Sequence, residues 1–327
     1  MQNCMSGLRE DPAALSELTV RGPMGAEELG SLPVPERFIV SRCHAVAQEA
    51  TAALEAHSYA DAGRLVHDFL WDELADWYIE ASKVRMRPES AGGCPAQQQQ
   101  TRRVLVYVWD TALRLLHPYM PFLTETLWQQ LPHEGDSIMV ADWPIMQKQS
   151  ASSNALSEDG AAVKTFGTLQ AIVRSIRNAR AEYAVDAGRK IPCVLVVNDP
   201  VVRDFLRQER LVFAMFARVQ DEQLQIVSSE DYQAIIESAG ACVHLIVEEG
   251  VEAFLPQSGL LDPVKEVQRL SKQSEKLGKD MQVLRGRLAS PGFIERAPKE
   301  VVTETEIKLA DIEEQLKVIK SSMDSLR

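Results

Sequence analysis

Between Asp262 and Arg327 apolar residues recur at alternating gaps of three and four, and that spacing constrains the fold more than any other feature of the chain. Val267, Leu270, Ser274, Leu277, Met281, Leu284 and Leu288 form a heptad seam with Leu at every second core position. Ser290-Pro291-Gly292 cannot continue a helix, and Pro298 suits the first turn of another. Val302, Thr305, Leu309, Ile312, Leu316, Ile319, Met323 and Leu326 then repeat the spacing. Two helices of similar length around a short break predict an antiparallel coiled-coil hairpin over 259–327, each arm roughly 40 Å long at ~1.5 Å per residue.

The charges on this hairpin are sorted. From Val264 to Ala289 seven cations stand against three acids, a net of +4. Lys265, Arg269, Lys272, Lys276 and Lys279 all fall at outward positions, away from the seam where charges would serve helix pairing. A cationic stripe on a protruding rod fits a polyanion, and it equally fits a solvated coiled-coil face. The whole chain carries −12, which argues against indiscriminate coating of nucleic acid and makes the local excess more telling.

The 327 residues allow about two domains beside the hairpin, and 45% of them are hydrophobic, enough for real cores. No apolar run approaches the ~20 residues that span a membrane. Cys4, Cys43, Cys94, Cys193 and Cys242 are scattered and include no C-x-x-C pair, which reads as reduced thiols of an intracellular protein rather than a zinc site or a disulfide frame. The expected class is mainly α, with residues 1–32 a lead-in containing one short helix near 11–18. Residues 33–146 read as a four-helix up-down bundle, with helices near 35–57, 58–86, 97–116 and 121–131. A Ser-rich linker follows at 147–162, then a small α/β domain at 163–258 with a mixed sheet. Its helix near 163–183 precedes a strand at 191–197, a helix at 201–219, and strands near 223–227, 242–247 and 251–255.

Two more groups of cations stand out. Lys83, Arg85 and Arg87 close the second bundle helix, and Arg102 and Arg103 sit just inside the third, so antiparallel pairing crowds all five at one end. The helix dipole accounts for the first three but disfavours the other two, which points toward phosphate. Arg174, Arg177 and Arg180 recur every third residue, with Arg189 and Lys190 following; a solvated face and a nucleic-acid contact both fit them. Asp68, Asp72, Asp76 and Glu80 repeat every four residues without the Glu-x-x-His pairs of a di-metal bundle, and read as a solvated or Arg-paired face. No phosphate-cradling glycine loop, nucleophile elbow or metal-spaced cluster is present, and the six histidines are dispersed. The sequence predicts no catalytic residue, no metal site and no cofactor in this chain.

Several stretches resemble a known family. Arg37-Phe38-Ile39-Val40-Ser41-Arg42 opens the bundle, F-L-W-D-E-L-A-D-W-Y-I-E fills its second helix at 69–80, and L-L-H-P-Y-M-P-F-L-T-E-T-L-W links its last two helices at 115–128. These resemble the valine, isoleucine and leucine tRNA ligases alike. The hairpin turn at 288–302, L-A-S-P-G-F-I-E-R-A-P-K-E-V-V, resembles the valine–tRNA ligases in particular. The resemblance covers about 33–327 and implies that the bundle is an anticodon-binding domain and the hairpin a tRNA-binding arm. The implied partner is tRNA(Val), bound by a monomer without a membrane, in the cytoplasm or in a plastid or mitochondrion. A catalytic domain with H-I-G-H and K-M-S-K-S motifs, using ATP and Mg, would precede residue 1. The chain then reads as a fragment, a truncated product or a free-standing tRNA-binding protein. It departs from the family at Asp186-Ala187-Gly188, where prolines are usual, and at Gly278 and Gly286, which weaken the arm helix by ~1 kcal/mol each and predict an arm ordered by tRNA. A protein-interaction scaffold is the competing reading, with Ile307 and Val318 as its off-seam apolar residues.

Overall fold

The computed structural model describes residues 24, 26–87, 94–144, 159–230, 232 and 240–257, together with positions 275, 277–278, 281–282, 284–286, 309 and 312. Those isolated C-terminal positions are helical. The hairpin as a whole, the 11–18 helix and most of the 147–162 linker lie outside the described residues.

A short α1 (Ala26–Gly30), which periodicity did not predict, leads into α2 (Val34–Glu55). α3 is one rod made of an α-helix (Tyr59–Asp68), a π-helical stretch (Phe69–Ile79) and a second α-helix (Glu80–Arg85). α4 (Pro95–Leu116) and α5 (Pro121–Trp128) complete the bundle. Proline in the first turn opens α2, α4 and α5, where its fixed φ is preorganised and its missing N–H costs nothing. At the end of α2, His57 adopts φ +59 and the Ser58 amide donates back to Ala53 O at 2.8 Å, a left-handed terminator that turns the chain into α3. Asp68, Asp72 and Asp76 are exposed and Glu80 is half-buried beside Lys83, the solvated face that their spacing predicted.

After the bundle, α6 (Gly160–Glu182) begins at Asp159, whose carboxylate accepts from the Ala162 amide at 3.0 Å. β1 (Ile191–Val197), α7 (Pro200–Gln208), α8 (Arg210–Ala217) and β2 (Val219–Val227) form a parallel crossover. β3 (Cys242–Glu248) and β4 (Val251–Pro256) make a hairpin around Gly250, which sits at φ +75. The sheet order is β2-β1-β4-β3, with β1 parallel to β2 and antiparallel to β4, so the mixed sheet is present. The expected single helix at 201–219 is two helices broken at Glu209, and β2 begins four residues earlier than alternation indicated.

α6 packs on α2 as well as on the sheet, so one hydrophobic core runs from the bundle through Phe166, Leu169, Ile172 and Ile176 to Cys193 and Leu195. At the junction Phe38 stacks on Phe166 with centroids 4.3 Å apart, Trp77 meets Phe166 edge-on at 6.2 Å, and Phe216 lies 4.8 Å from Trp77. Burying one such ring contributes about 1.5–3 kcal/mol. This aromatic seam fixes where the α/β layer stands against the bundle.

Candidate nucleic-acid interface

The bundle end that gathers Lys83, Arg85, Arg87, Arg102 and Arg103 also holds the start of α2, and the acids on that helix change its electrostatics. Arg85 is not at the surface. Its side chain is 9% exposed and its two terminal nitrogens donate to Glu36, itself buried on α2, and to Glu209, the residue that breaks α7 from α8. Thr101 Oγ1 adds a donor to Glu36 at 3.1 Å. Burial penalises the Arg85 charge, but the facing carboxylates of Glu36 and Glu209 outweigh it and hold the guanidinium protonated well above its usual range. Burial also pushes the Glu209 carboxyl up, against the pull of Arg85. Arg85 is therefore a tie between bundle and sheet domain, which corrects its expected place among surface phosphate contacts.

The other four are more accessible. Lys83 is exposed and paired with Glu80 at 2.5 Å, and Arg103 is exposed and paired with Glu28 at 2.6 Å. Arg87 is exposed, and its carbonyl accepts from Gln98 Nε2 at 2.6 Å across the loop between α3 and α4. Arg102 is half-buried with an Nε that has no hydrogen-bond partner. The structure does bring this group to one end, but carboxylates meet three of the five.

The arginines of α6 also divide. Arg174 is exposed, with its guanidinium carbon 5.9 Å from the Trp77 ring centroid, near the outer reach of a cation–π contact. Arg177 is exposed and donates through Nε to Phe216 O at 3.0 Å, at the end of α8. Arg180 is buried and donates to the carbonyls of Asp186, Arg189 and Arg218 at 3.0, 2.8 and 3.2 Å. It pins the turn after α6 to the entrance of β2, and so departs from the expectation of a surface contact. Burial and the neighbouring Arg218 and Arg189 push its pKa down. Lys265, Arg269, Lys272, Lys276 and Lys279 lie outside the described residues.

The family described as the anticodon-binding domain of tRNA ligase matches residues 36–195, covering the bundle, α6 and the start of β1. The family described as the valyl tRNA synthetase tRNA binding arm matches residues 262–327. The chain belongs to the valine–tRNA ligase family. It is 37% identical over 301 residues to the chloroplastic/mitochondrial valine–tRNA ligase 2 of Arabidopsis thaliana, covering 92% of this chain and 29% of that protein. Against the valine–tRNA ligase of Enterococcus faecalis it is 33% identical over 298 residues, 91% of this chain and 32% of the relative. The valine–tRNA ligase of Carboxydothermus hydrogenoformans is 34% identical over 304 residues, 93% of this chain and 32% of that enzyme. The chain thus spans about a third of the valine–tRNA ligases it matches, and the match is to their C-terminal, non-catalytic part.

Seen as part of such a ligase, the bundle offers groups that charge counting passed over. Trp71 is 65% exposed and stacks on His67 with an interplanar angle of 4°, while Tyr59 is also exposed and Phe122 is 89% exposed. Exposed aromatic faces are what unstacked RNA bases bind. Trp71 lies within the family-like run at 69–80, and only its failure to fit the buried face marks it in the sequence. Among the described residues no group of three or more His, Cys, Asp or Glu could hold a metal, and no helix is long and apolar enough to cross a membrane.

Proposed function

We propose that this chain binds tRNA(Val) as the tRNA-recognition portion of a valine–tRNA ligase, with the bundle at the anticodon and the coiled-coil hairpin against the body of the tRNA. The observation that carries the reading is the pairing, in one chain, of an anticodon-binding domain over 36–195 with a valyl-type tRNA-binding arm over 262–327. At the bundle, Lys83, Arg87, Arg102 and Arg103 face the sugar-phosphate backbone, with Arg85 holding the helices that carry them. On α6, Arg174 and Arg177 are accessible to it. Along the arm, Lys265, Arg269, Lys272, Lys276 and Lys279 meet phosphates. Attachment of valine with ATP and Mg belongs to the catalytic part of the relatives, and this chain supplies selection and orientation of the tRNA.

Binding of labelled tRNA(Val) measured beside the same transcript with its anticodon bases replaced tests this reading. The expected loss is about tenfold on anticodon replacement, in the range that a misread base produces. Equal affinity for both transcripts would remove the bundle from anticodon recognition, and no binding to either would overturn the reading altogether.

A further inference from the structure

The sheet carries a cationic patch where three strand ends converge. Ile191 pairs with Val219, so β1 and β2 start side by side, and Val194 pairs with Phe254 in antiparallel sense, which brings the end of β4 to the same edge. The chain leaves the sheet there, with the Gln257 amide donating to Ala241 O at 2.9 Å. Lys265, the first cation of the arm, is eight residues further on. At no more than ~3.6 Å per residue, that keeps it within about 29 Å of Gln257 whatever path the chain takes.

Five cations gather at this edge: Arg177 and Arg180 from α6, Arg189 and Lys190 before β1, and Arg218 before β2. Three of the five donate to backbone carbonyls. Arg177 meets Phe216 O, Arg180 meets three carbonyls, and Arg218 donates to Ala187 O. Among the described acids nearest in sequence, Glu182 and Asp186 precede Lys190 and Glu222 follows Arg218 in β2; Asp221 is engaged by Arg210 at 2.6 Å. The C-termini of α6 and α8 add roughly half a negative charge each, which leaves the described residues of the patch about one charge positive. Arg218 also stands at φ +53, a left-handed conformation that glycine or asparagine adopts more readily. Helix termination does not require arginine at that point.

We propose that Arg177, Lys190 and Arg218 form a second phosphate-binding patch at the root of the arm, which takes the tRNA backbone. Arg180 is its positioning residue, because it ties the turn before Lys190 to the backbone carbonyl of Arg218 itself. The inference rests on the tRNA-binding reading above and adds to it a surface outside both the bundle end and the arm.

The test uses the full chain and labelled tRNA(Val) over a range of salt concentrations. Lys190→Glu/Arg218→Glu should bind on the order of tenfold more weakly at 100 mM salt, with a log–log salt slope shallower by about 1–2. Arg218→Gly removes the charge at a position whose backbone favours glycine, so it should weaken binding while the melting temperature holds or rises. Lys164→Glu, exposed near the other end of α6, serves as the control and should change binding much less. Wild-type affinity and slope in both patch variants would overturn the patch and leave the tRNA reading standing. Absence of binding by the wild-type chain would overturn that reading instead.

Discussion

The basic end of the bundle and the sheet edge are each built around an inward-turned arginine, and they differ in what that arginine meets. At the bundle end Arg85 meets the carboxylates of Glu36 and Glu209, while Lys83 and Arg103 have acids of their own. At the sheet end Arg180 donates to carbonyls, and burial, with Arg218 and Arg189 nearby, lowers its pKa against the pull of Asp186. Lys83, Arg85 and Arg103 in the first region thus meet carboxylates, whereas Arg177, Arg180 and Arg218 in the second donate to neutral carbonyls. Counting charges along the chain cannot separate the two, because the acids that meet Arg85 and Arg103 sit on other elements. Glu209 is 124 residues from Arg85.

The largest effect that could break this comparison is at Arg85. Arg85→Met leaves two buried carboxylates without a counter-ion, and a loss of about 3–5 kcal/mol is expected in urea unfolding. A loss below about 1 kcal/mol would mean the triad is not the tie between bundle and sheet. Within the bundle, His44 is buried against Tyr107 at 2.6 Å, and burial lowers its pKa to about 4 from 6.5. The unfolded chain then binds the proton more readily, so stability is full above pH 6.5 and falls as pH drops toward 4. The expected loss is on the order of 3 kcal/mol. His44→Gln should flatten that slope above pH 5, where few carboxylates titrate.

Arg180→Met comes next. It frees three carbonyls that water can reach in part, and the expected cost is about 1.5–3 kcal/mol, smaller than at Arg85 because no charge is stranded. If Arg180→Met cost more than Arg85→Met, the contrast between the two ends would be reversed. The smallest effect is expected at Lys83→Ala, where an exposed pair is lost and stability should stay within about 1 kcal/mol.

Much of the architecture was legible because helix periodicity and proline placement are local. Pro35 and Pro121 stand in the opening turns of α2 and α5, and the apolar run at 191–197 is β1, while α4 opens at Pro95, two residues before the expected start at 97. The π-helical stretch in α3 was not legible, since Phe69, Leu74 and Tyr78 suit a spacing of four to five nearly as well as 3.6. The break at Glu209 was hidden for a related reason: α7 and α8 both bury apolar faces, and only the distant Arg85 distinguishes the joint. At the candidate site, position along the chain set Lys83, Arg87, Arg102 and Arg103 beside one loop, but it could not show that Arg85 and Arg180 turn inward. Arg218 escaped notice because it stands alone in sequence and joins the patch only through the pairing of β1 with β2.

The salt dependence of tRNA(Val) binding by the wild-type chain tests the account most directly. Five arm cations, the patch at its root and the free cations of the bundle predict a log–log slope of about −5 or steeper, so that affinity falls roughly 10³-fold between 50 and 200 mM salt. A slope near zero, with binding retained at high salt, would contradict it.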